Sequence, residues 1–303
     1  MSAPAPAPIG TIQHYNLLER LEPSGPGDLF RARDTRAGRT VTVRLLPAGY
    51  AADPAERQRL LENARSVIAL SHANVTTLYE AGEHDGRVFF VFEFLKGQSL
   101  RAEMAGRPIN VRRAVELAIQ IADGVSEAHA AGFIHGGLSP ETVTITAKGR
   151  VKIPAFDLAS RGGFEQTEAG MRLRDYDSPE EARGQAPDDR SDIHSVGAVL
   201  YEMLTTRRPM HKGAAAPSAS NPHVIDELDA LVLRAVAPNP DLRLQSAAAL
   251  AAELRSIAAI LDARGGAGDE QEEHAAGSTS FGRVVGLAIV ILAAVVLLIW
   301  MFS

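Results

Sequence analysis

The spacing of apolar residues changes character once along the chain, and the change divides it in two. From His14 to about Val43 the runs LLERL, LFRAR and TVTVRLL are separated by turn-forming residues at Ser24 to Gly27 and around Gly38, the pattern of an antiparallel meander. Asp53 and Pro54 then offer an N-cap followed by proline at the first helical position, with Glu56 where a capping box would place it. Leu60, Leu61, Ala64, Val67 and Ile68 follow at three- and four-residue spacing, so this helix should pack one face on the sheet. Strand patterns return at 75–79 and 87–94. Residues 14–95 read as a five-stranded sheet with one helix, behind a Pro/Ala-rich lead, 1–13, expected to be disordered.

After Gly97 the period becomes helical. Ala114, Leu117, Ala118, Ile121, Val125 and Ala128 form one stripe over 111–131, and Gly132 is placed to end that helix in a left-handed cap. Strands are expected near 142–146 and 150–154 around a turn at Lys148-Gly149, then a polar segment over 160–177. Apolar helices resume at 193–204, 224–237 and 247–263. Residues 96–262 thus read as a mostly helical region, and the fold class as α+β.

The tail has a different chemistry. Residues 263–281 are Gly-rich and acidic with almost nothing to bury, a flexible linker. Residues 284–302 are uncharged and apolar; as a helix they would span about 28 Å, the thickness of a bilayer's hydrocarbon core. Arg283 at one end and Trp300 near the other suit interfacial anchors, so 282–303 is expected to be a single transmembrane anchor. The opening MSAPAPAPIG lacks the basic start and apolar run of a signal peptide, which predicts that the preceding domain faces the cytoplasm.

Composition narrows the function. The 303 residues are 46% apolar, enough for one large core or two lobes, and the net charge of −6 gives no reason to expect a nucleic-acid partner. The chain has no cysteine, which excludes disulfides and thiolate metal sites.

Several motifs in order give residues 14–262 a resemblance to the bacterial Ser/Thr (Hanks-type) protein kinases. VTVR at 41–44 falls where that family has V-A-I-K. FEFLKGQSL at 92–100 resembles the gatekeeper and hinge, IHGGLSPETV the catalytic loop I-H-R-D-x-K-P-x-N, and VKIPAFDLA the metal loop V-K-x-x-D-F-G-x-A. SPEEARG, SDIHSVGAVLYEML and NPDLRLQS resemble the signatures of the larger lobe. The resemblance implies a two-lobed fold, with a small antiparallel-sheet lobe plus one helix over 14–95 and a larger, mostly helical lobe over 96–262.

It also implies where the chemistry should sit, and there the residues depart from the family. Phosphoryl transfer depends on positioning and on metal ions and a lysine that neutralise the triphosphate. The base aspartate falls on Gly137, its preceding arginine on Gly136, the lysine on Ser139 and the metal-binding asparagine on Thr142. The metal-binding aspartate falls on Ala155. Moving the register to Asp157-Leu158-Ala159 would restore an aspartate, but Thr142 to Ala155 is thirteen positions, the family's usual separation, whereas Asp157 requires fifteen. The phosphate-covering glycines fall on Glu22, Ser24 and Gly27, the V-A-I-K lysine on Arg44, and its glutamate partner on Asn63. Glu62 is one position, about 100°, around the helix. Thr42 and Thr144 would make the adenine slot more crowded and more polar. Any nucleotide contact that remains would come from Gly27, Arg44, Glu93 and Leu95.

The architectural positions are kept. His135 and Phe156 fall on the family's stacked spine, Glu180 and Arg243 on its ion pair, and Asp192 on the buried acid that bonds the catalytic-loop backbone. Glu141 reads as an exposed carboxylate after Pro140. The expectation is a membrane-tethered pseudokinase without cofactor or metal, acting as a signalling scaffold for a cytoplasmic protein such as an active kinase or its substrate. The alternatives are a divergent kinase with residual activity and a switch that binds ATP without magnesium or turnover. Phosphorylation of Thr167 would not order 160–177 in the family's usual way, because Gly136 replaces the arginine that would pair with it.

Overall fold

The structure, a computed structural model, describes residues 8–22, 27–154, 175–210 and 213–264. The chain divides into two units, 1–255 and 256–303, and the described part of the second is the end of one helix. Ala155, Phe156, Asp157, Thr167, Ser24 and the apolar run 284–302 lie outside the described residues. Among the described residues no helix is long and apolar enough to cross a membrane.

The alternating runs at the start pair as antiparallel neighbours. β1 (Gly10–Ile12), β2 (Tyr15–Leu21), β3 (Asp28–Asp34), β4 (Arg39–Leu45), β5 (Leu78–His84) and β6 (Arg87–Glu93) form one sheet in the order β1-β2-β3-β4-β6-β5. Period-two alternation sends Ile12, Tyr15, Leu17, Ala32, Val41, Val43, Phe89 and Val91 into one buried cluster. Five of these strands, β2 to β6, lie within 14–95 as expected, and the sixth, β1, is added from the lead. Gly10–Ile12, expected within a disordered lead, pairs with β2, where Ile12 opposite Tyr15 gains a buried site at 2% exposure.

α1 (Pro54–Ile68) has the predicted N-cap and first-turn proline, with Asp53 Oδ1 accepting from the amides of Ala55 and Glu56 at 2.7 and 3.4 Å. Its apolar stripe is wider than the surface that covers it. Ala64 and Val67 are buried, but Ile68 is 37% exposed.

In the second lobe β7 (Gly97–Ser99), β8 (Thr144–Thr146) and β9 (Val151–Lys152) form a small sheet, and α2 (Leu100–Met104) follows β7. α3 (Val111–Ala130) buries the predicted stripe, and Gly132 after it has φ +79°, the left-handed conformation of a helix end. α4 (Pro179–Ala182) precedes α5 (Asp189–Thr205), which is buried on every side from Ser191 to Thr205 and forms the centre of the lobe. α6 (Asp226–Ala235) crosses α5 at Gly197, where a Cβ would lie 2.7 Å from Ala235 Cβ. The last helix, α7, covers 247–264, so it runs through the first two residues of the predicted linker.

The segment between α1 and β5 joins the lobes. The sequence predicts a strand from 75, yet β5 starts at Leu78, because 74–76 bond the second lobe instead. Asn74 Nδ2 donates to Val151 O at 2.9 Å and to Gln120 Oε1 at 3.2 Å, and Ile153 N donates to Asn74 O at 2.8 Å. The amide and hydroxyl of Thr76 each donate to Ile153 O at 2.8 Å, and Val75 bridges Ile153 in parallel. Asn74→Ala removes both side-chain bonds and strands the buried Val151 carbonyl, so chemical denaturation should show a loss of about 1–3 kcal/mol.

Candidate functional site

The positions that the sequence singles out fall on both lobes. On β4, Thr42 pairs opposite Phe92 and Arg44 opposite Phe90, and both β4 side chains are half-buried. Asn63 is exposed on α1. Glu62 is exposed as well, its carboxylate accepting from Gln58 Nε2 one turn away at 2.7 Å. At the turn between β2 and β3, Glu22 is exposed and Gly27 has φ +85°. A Cβ on Gly27 would sit 2.2 Å from Leu45 O, so the glycine is required by the approach of β4. Asp28 next to it bonds Arg20, and Arg87 Nη2 at 3.4 Å.

At the end of β6, Glu93 Oε1 accepts from Lys152 Nζ at 2.6 Å and from Thr77 N at 2.9 Å. The Lys152 ammonium also donates to Val75 O at 3.0 Å. The Glu93 carboxylate is thus a clip between strands of the two lobes; Leu95, two residues on, is half-buried.

The loop after α3 is held from below and closed on itself. Asp192, 1% exposed on α5, accepts from the amides of His135 at 2.7 Å and Gly136 at 2.8 Å, and its Oδ2 lies 2.7 Å from His129 Nε2. Burial pushes the His135 imidazole below its ordinary value, against the opposing pulls of Asp192 and the Pro154 carbonyl. A neutral buried ring costs stability as pH falls, because the unfolded chain binds the proton that the folded one refuses. Gly136 has φ +64°, and Gly137 carries no side chain. Ser139 is fully buried. The Thr142 hydroxyl lies 3.2 Å from Gly137 O and 3.1 Å from Ser139 O, and it accepts from Ser139 N at 3.1 Å. The position aligned with the family's metal-binding asparagine therefore bonds its own loop.

Glu141 departs from its expectation as an exposed side chain. It is half-buried, and Arg101 Nε donates to its Oε1 at 2.8 Å. Arg101 Nη1 reaches Glu202 Oε1 on α5 at 2.7 Å, and its other nitrogen bonds the Tyr176 hydroxyl, which donates to Glu202. Burial lowers the Arg101 value, but its bonds to Glu202 and Glu141 outweigh that and raise it. Burial, with the bond to Glu202, holds the Tyr176 phenol above its ordinary range. Sequence reasoning missed this node because its members lie on separate elements and meet only through folding.

Glu180 and Arg243 meet as a buried pair, with Arg243 Nη1 at 2.6 Å from Oε1 and Nη2 at 2.8 Å from Oε2. Ser191 Oγ adds a third donor at 2.8 Å. Burial pushes Glu180 up, but the Arg243 hydrogen bonds prevail and hold it at about 2.

A two-lobed protein kinase fold is the class that this sheet, this helical lobe and this loop define. The chain belongs to the protein kinase family, whose Protein kinase domain model matches residues 23–254. It is 34% identical over 256 residues to the probable serine/threonine-protein kinase SCO3848 of Streptomyces coelicolor, covering 77% of this chain and 38% of that protein. It is 34% identical over 271 residues to the serine/threonine-protein kinase PknB of Mycolicibacterium smegmatis, covering 80% of this chain and 43% of the relative. This chain thus spans about two fifths of the length of these curated relatives. The kinase domain of Mycobacterium tuberculosis PknI has the same fold, with a TM-score of 0.68 at 21% identity over 82% of this chain and 97% of that one.

Two outcomes follow from the buried carboxylates. Glu180 is held below its ordinary 4.5, so the stability from its pair is complete above about pH 4.5 and is lost as pH falls toward about 2. Glu180→Gln leaves the Arg243 cation buried without its counter-charge and should cost about 3–5 kcal/mol at neutral pH, with a flatter stability profile on the acid side in pH-dependent urea unfolding. Asp192→Ala should raise amide exchange at His135 and Gly136 while the six-stranded sheet keeps its protection, as read by hydrogen exchange with mass spectrometry.

Proposed function

We propose that the chain is a catalytically inactive protein kinase domain, a pseudokinase, tethered at the cytoplasmic face of a membrane and used as a scaffold in signalling. The observation that carries this reading is the closure of the 135–142 loop on itself. Phosphoryl transfer asks that loop for a carboxylate to accept the hydroxyl proton and for an oxygen ligand to magnesium. Gly137 has no side chain, Ser139 is buried, and the Thr142 hydroxyl bonds loop backbone. The nearby carboxylates of Glu141 and Glu93 are engaged by Arg101 and Lys152. These residues do not fit a metal-bound triphosphate.

The tether in this reading is the apolar run 284–302 behind the Gly-rich linker. The partner is a cytoplasmic signalling protein, an active kinase or its substrate, bound by the folded surface with no nucleotide required. A divergent kinase is the second reading, favoured by Arg44, which keeps a cation at the position of the family's lysine, though a guanidinium is no substitute for an ammonium at a tight phosphate site.

Thermal-shift titration of the full chain with ATP, alone and with Mg²⁺ or Mn²⁺, separates these readings. No shift in any condition is the expected result. A metal-dependent shift, with phosphate transfer that Arg44→Ala abolishes, overturns the proposal; a shift with ATP alone points to a nucleotide-binding switch. Deleting 282–303 should move the protein from the membrane fraction to the soluble fraction, and continued sedimentation would remove this segment as the sole tether.

A further inference from the structure

We propose that Lys96, Arg112, Arg113, Lys148 and Arg150 form a basic surface that docks the domain on the anionic lipid headgroups of a bilayer. The proposal rests on the tether reading above for the presence of the bilayer, and on the fold for the surface itself. The turn 147–150, between β8 and β9, is the meeting point. Ala147 N donates to Lys96 O at 3.0 Å, which brings Lys96 beside the turn. Arg113 Nη2 donates to Gly149 O at 3.4 Å, which sets the first turn of α3 against it. Lys148 and Arg150 flank Gly149, whose φ of +74° and bond from its amide to Thr146 O at 2.8 Å keep the turn tight. Lys96, Arg112, Lys148 and Arg150 are exposed, and the Arg113 side chain is 32% exposed.

Folding alone does not account for this gathering of charge. The chain as a whole is acidic, with a net charge of −6. The first turn of α3 holds no acidic residue and two arginines, although the helix dipole disfavours cations at that end. Glu116 offsets part of the charge, at 3.4 Å from Arg113 Nη1. The turn residues between the cations, Ala147 and Gly149, offer no aromatic or aliphatic anchor. Stable protein interfaces are built around such anchors. An anionic bilayer needs none, because it attracts each nearby lysine or arginine through its surface potential without shape complementarity.

The test uses the full chain in lipid nanodiscs of phosphatidylcholine alone or with phosphatidylglycerol. Retention on phosphatidylcholine discs reads the tether; the difference in amide exchange between the two discs reads the surface. Exchange at 146–150 and 110–113 should slow several-fold in the phosphatidylglycerol discs, and the effect should vanish in about 0.5 M salt, where screening shortens to a few ångström. The double variant Lys148→Gln, Arg150→Gln should lose the lipid difference while exchange in the six-stranded sheet stays unchanged. Equal exchange in both discs overturns the proposal and leaves the tether standing. Protection that appears only with added poly-glutamate overturns it in favour of an acidic protein. If the chain leaves phosphatidylcholine discs, the tether fails; salt-sensitive binding to phosphatidylglycerol discs then still supports the surface, and no binding to them overturns it.

Discussion

Asp192 is a buried carboxylate at the start of a helix covered on every side, and the amides of His135 and Gly136 both donate to it. A charge so placed is tolerable only while its donors stay in position. The loop therefore cannot leave α5 without stranding the charge, and its backbone is held whatever side chains it carries. That is why the loop keeps its path with glycine at 136 and 137. His129 on α3 closes the same group from the other side, so one residue fastens α3, the loop and α5 together.

Other charges are joined in the same structural manner, two of them near the lobe junction and one inside the second lobe. Glu93 ties β6 to Lys152, Glu141 ties the loop to Arg101, and Glu180 ties α4 to Arg243. Each pair links elements far apart in sequence. With the Asn74 and Thr76 bonds to the second lobe, these pairs describe a molecule whose polar groups near the cleft serve cohesion. In the scaffold reading proposed above, such pairs would hold the fold rigid before contact and so limit the entropy lost on association.

Much of the fold was legible in local patterns. The stripe of α3, the Asp53 cap of α1 and the alternation of β3 and β4 are short-range features, set by dihedral preferences and side-chain period. Structure departs from local pattern where a longer-range interaction outcompetes it. Residues 75–77 look like a strand, but Val75 and Thr76 bond Lys152 and Ile153 in the other lobe. Gly10–Ile12 looks like the end of a loose lead, but an open sheet edge beside it offered pairing. Leu60, Leu61 and Ile68 extend the apolar stripe of α1 beyond what its neighbours cover.

The sequence by itself determined the order of elements, the family, and the presence of glycine at 137 and threonine at 142, because residue identity and spacing need no coordinates to be read. Only the tertiary structure decided where the surviving charges go. Glu141 could not be assigned to Arg101 and Glu202, or the turn at Gly149 to Arg113, from positions along the chain. The physical reason is range. Helix period and turn chemistry act within a few residues, whereas ion pairs and charged surfaces depend on which elements the core brings together, and that is settled by packing across the whole molecule.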